Sequence, residues 1–179
     1  MNKVVIIGNA GGGKSTLGKL LSQAKGLPFY QLDRFIWKPG WIKYTEKEFS
    51  AMHNTVLNKK HWIIDGFYTI ESDKERLNAA DTIIFIDYHL WMHYWWASKR
   101  QFMCLFGERP DFIANCPMLP KTWKLVKIIW KYNKSYRPIL LSLIDKYRTD
   151  KQVFHIRSPK ELSQFISNYC SNYTKDNTD

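Results

Sequence analysis

Apolar residues gather in five short runs, at about 3–7, 28–32, 61–65, 82–87 and 152–156, each bounded by polar or glycine-bearing segments. Continuous runs of this length suit strands buried on both faces, because polar alternation disappears when neither face meets water. Between them the apolar period lengthens to three and four residues, the spacing of one helix face. Residues 15–24 carry Leu17, Leu20 and Leu21 at that spacing, and Thr45-Glu46-Lys47-Glu48 reads as a capping box ahead of Phe49, Met52, Val56 and Leu57. Ser72-Asp73-Lys74-Glu75 reads as a second box before a short helix. Ser158-Pro159-Lys160-Glu161 reads as a third, with Leu162, Phe165, Ile166 and Tyr169 on the apolar stripe behind it. Strands alternating with helices predict an α/β fold, a parallel, doubly wound sheet between two helical layers. With no internal repeat and no linker, 1–170 is expected to form one domain and the polar residues 171–179 a flexible tail.

One stretch breaks the alternation. About sixty-five residues separate the fourth run from the fifth, more than one crossover helix needs. Residues 89–105 read as a helix crowded with Trp91, Tyr94, Trp95, Trp96 and Phe102. Residues 106–118 read as a loop, and 119–147 as a long helix bent at Pro138. A helix–loop–helix excursion of this kind predicts a lid over about 98–118.

The first strand runs into Gly8-Asn9-Ala10-Gly11-Gly12-Gly13-Lys14-Ser15, followed by Thr16, which fills the pattern G-x-x-x-x-G-K-[ST] at every fixed position. Glycines let the backbone turn its N–H groups inward as an anion-binding nest, and the following helix adds its positive N-terminal end. The pattern therefore predicts a bound nucleoside triphosphate, with Lys14 on the β- and γ-phosphates and Ser15 as ligand to Mg²⁺. The guanine-reading N-K-x-D pattern is absent, since Asn58-Lys59-Lys60-His61 and Asn133-Lys134-Ser135-Tyr136 both fail at the last position. No strand ends in an Asp-Glu pair, so neither a GTPase switch nor a motor-type ATPase is expected.

Composition narrows the partners. The 179 residues carry a net charge of +11, a balance that favours polyanions such as nucleotides, nucleic acid or an anionic membrane surface. Eight Trp, ten Tyr and ten Phe are expected mostly in the core or in substrate pockets. Lys121, Lys124, Lys127, Lys131 and Lys134 recur at helical spacing, a basic face read as solvated in preference to DNA-binding. Three cysteines, Cys104, Cys116 and Cys170, show no C-x-x-C pairing and predict neither a disulfide framework nor a zinc site. Met1 leads directly into the first strand and no apolar run approaches about 18 residues, so a cytoplasmic chain without a membrane partner is expected.

Ligands of open parallel sheets lie beyond the carboxyl ends of the strands, where Asp33, Asp65 and Asp87 fall. A phosphoryl transferase needs a carboxylate to engage the acceptor hydroxyl and often another near the metal. Asp33 is chosen for the acceptor side, on the expectation that the second strand ends beside the glycine loop, and Asp65 for the metal or the acceptor. Arg100 and Arg109, flanking the presumed lid, are chosen to neutralise the moving phosphate. Arg157, after the fifth strand, is expected to meet a base or phosphate, and Arg137 is ranked below the lid arginines.

Beyond the glycine loop come Leu32-Asp33, Phe35-Ile36-Trp37-Lys38-Pro39-Gly40-Trp41, Trp62-Ile63-Ile64-Asp65-Gly66-Phe67-Tyr68, Arg109-Pro110-Asp111, Cys116-Pro117 and Arg137-Pro138. This set, over roughly 3–166, resembles the bacterial DNA topology modulation proteins, P-loop NTPases similar to adenylate and shikimate kinases. The resemblance implies a three-layer sandwich with strand order 2-3-1-4-5 and ATP with Mg²⁺ held by residues 8–16. It also implies an acceptor pocket near Asp33, Trp37, Trp41 and Asp65. The expectation is an ATP-dependent phosphotransferase acting on a small hydroxylated or nucleotide acceptor. The alternative is an ATP-dependent DNA-binding protein that modulates DNA topology.

Overall fold

The computed structural model describes residues 1–103 and 122–170. Strand β1 (Lys3–Gly8) leads into α1 (Lys14–Lys25), followed by β2 (Phe29–Gln31), the single turn α2 (Asp33–Ile36), β3 (Trp37–Lys38) and β4 (Ile42–Lys43). Then come α3 (Glu46–Leu57), β5 (Trp62–Asp65), α4 (Ile70–Ala79), β6 (Thr82–Ile86) and α5 (Leu90–Met103). After residues 104–121 the chain continues as α6 (Thr122–Lys131), a π-turn (Tyr132–Tyr136), α7 (Arg137–Tyr147), β7 (Gln152–Ile156) and α8 (Pro159–Cys170).

Five strands form a parallel sheet in the order β2-β5-β1-β6-β7. Counted within that sheet alone, this is the expected 2-3-1-4-5. All five apolar runs are therefore strands. The central strand β1 alternates its buried side chains between the two helical layers. Val4 and Ile6 pack with Ile63, Ile84 and Ile86 against Leu17 and Leu21 of α1 and Phe165 of α8. Val5 and Ile7 pack with Ile64, Ile83 and Phe85 against Phe49, Leu77, Leu140 and Ile144 of α3, α4 and α7. Each such side chain, fully buried, contributes about 1.5–3 kcal/mol, and together they hold the strand ends in a fixed register.

Three features differ from the sequence reading, and a fourth, at Trp37–Trp41, was not addressed by it. β3 and β4 pair as a small antiparallel hairpin, with Trp37 opposite Lys43 and the two indoles edge to face at 5.4 Å. The cap of α4 is Thr69 rather than Ser72. Its hydroxyl accepts from the Ser72 N–H at 3.1 Å, which places Ser72 inside the helix. Ser72, Asp73, Arg76 and Leu77 are all buried in this helix. The long helical pattern is interrupted at 132–136, where the Arg137 N–H bonds the Tyr132 carbonyl in a π-turn. Pro138 has no N–H to continue an α-helical ladder, and the wider turn absorbs the mismatch. Finally, Trp91, Trp95, Trp96, Trp123 and Trp130 are exposed rather than in the core.

Among the described residues no helix is long and apolar enough to cross a membrane. Cys170 is a free, buried thiol, while Cys104 and Cys116 lie outside the described residues.

Candidate active site

The glycine loop fills the gap between the end of β1 and the start of α1. Gly8 sits at φ 148, where a Cβ would lie 2.3 Å from the Ile86 carbonyl oxygen, so the parallel neighbour β6 tolerates only glycine there. Gly11, at φ 79, brings its backbone against α5, where a Cβ would lie 3.0 Å from the His93 carbonyl oxygen. Two helices clamp the loop from outside. The Asn9 amide nitrogen donates to the Ile129 carbonyl of α6 at 2.9 Å, while its oxygen accepts from the Ala10 N–H at 2.8 Å. His93 of α5 places Nδ1 3.0 Å from the Ala10 carbonyl oxygen. Burial lowers the His93 pKa to about 4, so the ring is neutral, and a carbonyl partner requires the proton on Nδ1.

Lys14 turns back over this loop and donates from Nζ to the Asn9 carbonyl at 2.7 Å. Burial lowers its pKa, with Asp65 and Asp33 pulling it up and Arg100 pushing it down. Ser15, on the first turn of α1, donates from Oγ to Asp65 Oδ2 at 2.5 Å. Asp65 ends β5 and is almost wholly buried. Burial pushes its pKa up to about 6, against the Ser15 hydrogen bond and the charge on Lys14, while Asp33 adds to the rise.

The carboxylate that meets Ser15 is Asp65. The expectation that the second strand ends beside the loop is corrected by the strand order, since β5 lies between β2 and β1. Asp33 opens α2 and is exposed, yet its charge acts on both Lys14 and Asp65. Arg100, near the end of α5, acts on Lys14 as well. Lys14, Ser15, Asp65, Asp33 and Arg100 thus share one electrostatic neighbourhood. Arg109 and Lys121 lie outside the described residues. Thr16 is exposed at the start of α1. Arg157 is exposed after β7, where its N–H donates to Glu161 Oε2 at 2.8 Å and its guanidinium lies 3.4 Å from His155 Nδ1.

Two groupings escape sequence reading. Asp87, after β6, accepts from Arg137 Nε at 2.6 Å and Nη2 at 2.9 Å, and lies 2.9 Å from His155 Nε2. Burial pushes the Asp87 carboxyl up, but the hydrogen bonds of Arg137 and His155 outweigh it and hold the pKa below the ordinary value. Arg137 is thereby held on the carboxylate that follows β6. The fully buried Arg76 pairs with Asp73 and donates from Nη1 to the Gly66 carbonyl at 3.1 Å, bracing the turn after Asp65. Burial lowers the Arg76 pKa to about 10, with Asp65 pulling upward. The i, i+3 spacing of Asp73 and Arg76 was the available signal for that pair. The Arg137 contact crosses 50 residues and left none beyond the Arg-Pro dipeptide.

Solved structures share this architecture. Shikimate kinase from Acinetobacter baumannii in complex with shikimate is 16% identical at a TM-score of 0.60, covering 97% of this chain and 95% of its own. A gluconokinase from Sinorhizobium meliloti is 14% identical at a TM-score of 0.51, covering 97% and 92%. Shikimate kinase from Bacteroides thetaiotaomicron is 17% identical at a TM-score of 0.50, covering 96% and 97%. No protein-family model matches the chain, and no curated protein matches it. The chain has the α/β fold of the shikimate-kinase-like P-loop proteins, with the glycine loop at the end of the central strand.

Proposed function

We propose that the protein is an ATP-dependent phosphotransferase whose acceptor is a small hydroxylated molecule or a nucleotide. The observation that carries this reading is the gathering of Lys14, Ser15, Asp65, Asp33 and Arg100 around one glycine loop. The fold likeness to a shikimate kinase holding shikimate and to a gluconokinase supports a small hydroxylated acceptor. The Trp37–Trp41 and Asp65–Tyr68 segments support membership of the DNA topology modulation proteins, themselves kinase-like.

The residues present suit a magnesium-bound triphosphate. The cradle has no room for a Cβ at Gly8 and little at Gly11, so backbone N–H groups can approach phosphate oxygens closely. Ser15 and Asp65 offer the hard oxygen donors that Mg²⁺ takes. ATP with Mg²⁺ supplies the phosphoryl group and part of the charge that offsets it. Residues 8–16 bind the phosphates, and Lys14 exchanges its bond to the Asn9 carbonyl for phosphate oxygens. Asp65 orients the Ser15 hydroxyl. Asp33 accepts the proton of the acceptor hydroxyl, Arg100 and Arg109 neutralise charge over the phosphates, and Arg157 flanks the base.

A panel of nucleosides, nucleotides, sugars and hydroxy acids, assayed for acceptor-dependent ADP release, tests the proposal. One class is expected to raise ADP release well above the acceptor-free rate. Lys14→Ala is expected to lower that rate about a hundredfold or more with an unchanged thermal melt. Full turnover in a folded Lys14→Ala protein would overturn it.

A further inference from the structure

Four of the eight tryptophans, Trp91, Trp95, Trp123 and Trp130, stand on α5 and α6 away from the glycine loop, while Trp96 lies at the edge of the α5 face that meets Gly11. Trp91 is 65% exposed, Trp95 63% and Trp123 71%, and large apolar groups grouped on exposed helix faces mark interaction surfaces. Both helices turn their opposite sides to the glycine loop: α5 buries His93, Ala97 and Gln101, and α6 buries Ile129, whose carbonyl holds Asn9. The helices also pack against each other.

The stripe on α6 and the following turn has a defined composition. Trp123, Lys127, Trp130 and Lys134 follow one another at helical spacing, and Ile128 and Lys131 widen the face. The Lys134 ammonium lies 4.8 Å from the Trp130 ring, and on α5 the Lys99 ammonium lies 5.5 Å from the Trp96 ring. Indoles with lysines beside them, on a convex helix surface and in a chain of net charge +11, match the chemistry of a bilayer interface with anionic headgroups. Two other occupants fit less well. A second copy would set lysine against lysine. Bases of a single strand would stack on the indoles but gain nothing from Ile128, which is 57% exposed.

We propose that the outward faces of α5 and α6 dock this protein onto an anionic phospholipid surface. The contact is peripheral, with indoles at headgroup depth and lysines paired with lipid phosphates, and it requires nothing of the transfer reaction.

The test is co-sedimentation of the full chain with vesicles of phosphatidylcholine, alone or mixed with phosphatidylglycerol, together with tryptophan emission. Binding to the mixed vesicles is expected to be about tenfold tighter or more, with emission shifted to the blue. Lys127→Gln with Lys131→Gln should remove the preference for anionic lipid. Trp123→Ser with Trp130→Ser should weaken binding about tenfold; Trp91→Ser with Trp95→Ser is a second, independent pair. Unchanged far-ultraviolet circular dichroism identifies the folded variants to be scored. No binding, equal binding to both vesicle types, or binding that survives both tryptophan pairs would overturn the proposal. So would a dimer that the tryptophan variants dissociate, or a single-stranded oligonucleotide that outcompetes the vesicles through the same residues.

Discussion

The proton on Asp65 is contested by burial on one side and by Ser15, Lys14 and Arg76 on the other, and burial prevails. The folded pKa of about 6 lies above the ordinary 3.8, so the folded chain holds this proton more tightly than the unfolded chain. The stability it contributes is complete below about pH 4 and is lost as pH rises through about 6. Asn at this position keeps an acceptor for the Ser15 hydroxyl and has no charge to desolvate. Asp65→Asn is therefore expected to be more stable than the parent by about 2 kcal/mol at about pH 8 and nearly equal to it at about pH 4. Urea unfolding at the two pH values measures this, and a gain of the same size at both would contradict it. Loss of acceptor-dependent ADP release should accompany the gain, since strain of this kind at a site is retained for its chemistry. Asp65 was legible as a candidate because an acidic residue closes an apolar run. Its bond to Ser15 was not, because it depends on β5 lying next to β1.

Among elements, α4 illustrates how a helix end positions a site. Thr69 caps the helix, the helix carries Arg76, and Arg76 holds the carbonyl of Gly66 beside Asp65. Thr69→Ala removes the side-chain acceptor for the Ser72 N–H and is expected to cost about 1 kcal/mol, read as a lower thermal midpoint. An unchanged midpoint would mean that water replaces the cap. The capping boxes at Thr45 and Ser158 were readable because their partners lie three residues away. The start of α4 was misread because Thr69-x-x-Ser72 and Ser72-x-x-Glu75 overlap, and the fold places the buried Ser72 inside the helix. The break before Pro138 was foreseen as a bend. Its form as a π-turn that places Arg137 on Asp87 comes from the packing of Tyr132 and Leu140 into the core.

For the whole molecule, Trp91, Trp95, Trp123 and Trp130 stand exposed on the two helices that clamp the glycine loop. Lys14→Ala should bind anionic vesicles as tightly as the parent while losing turnover. A parallel loss of both would show that one state of the loop controls the outer face. The five apolar runs, the helices between them and the glycine loop were determined by the sequence alone, because strand burial, helix periodicity and left-handed turns are local consequences of residue type. Only the tertiary structure decided which carboxylate meets Ser15, how Arg76 and Arg137 are used, and which aromatics remain outside. Those contacts join positions far apart in the chain, and their energy exists only once the strand order has brought them together.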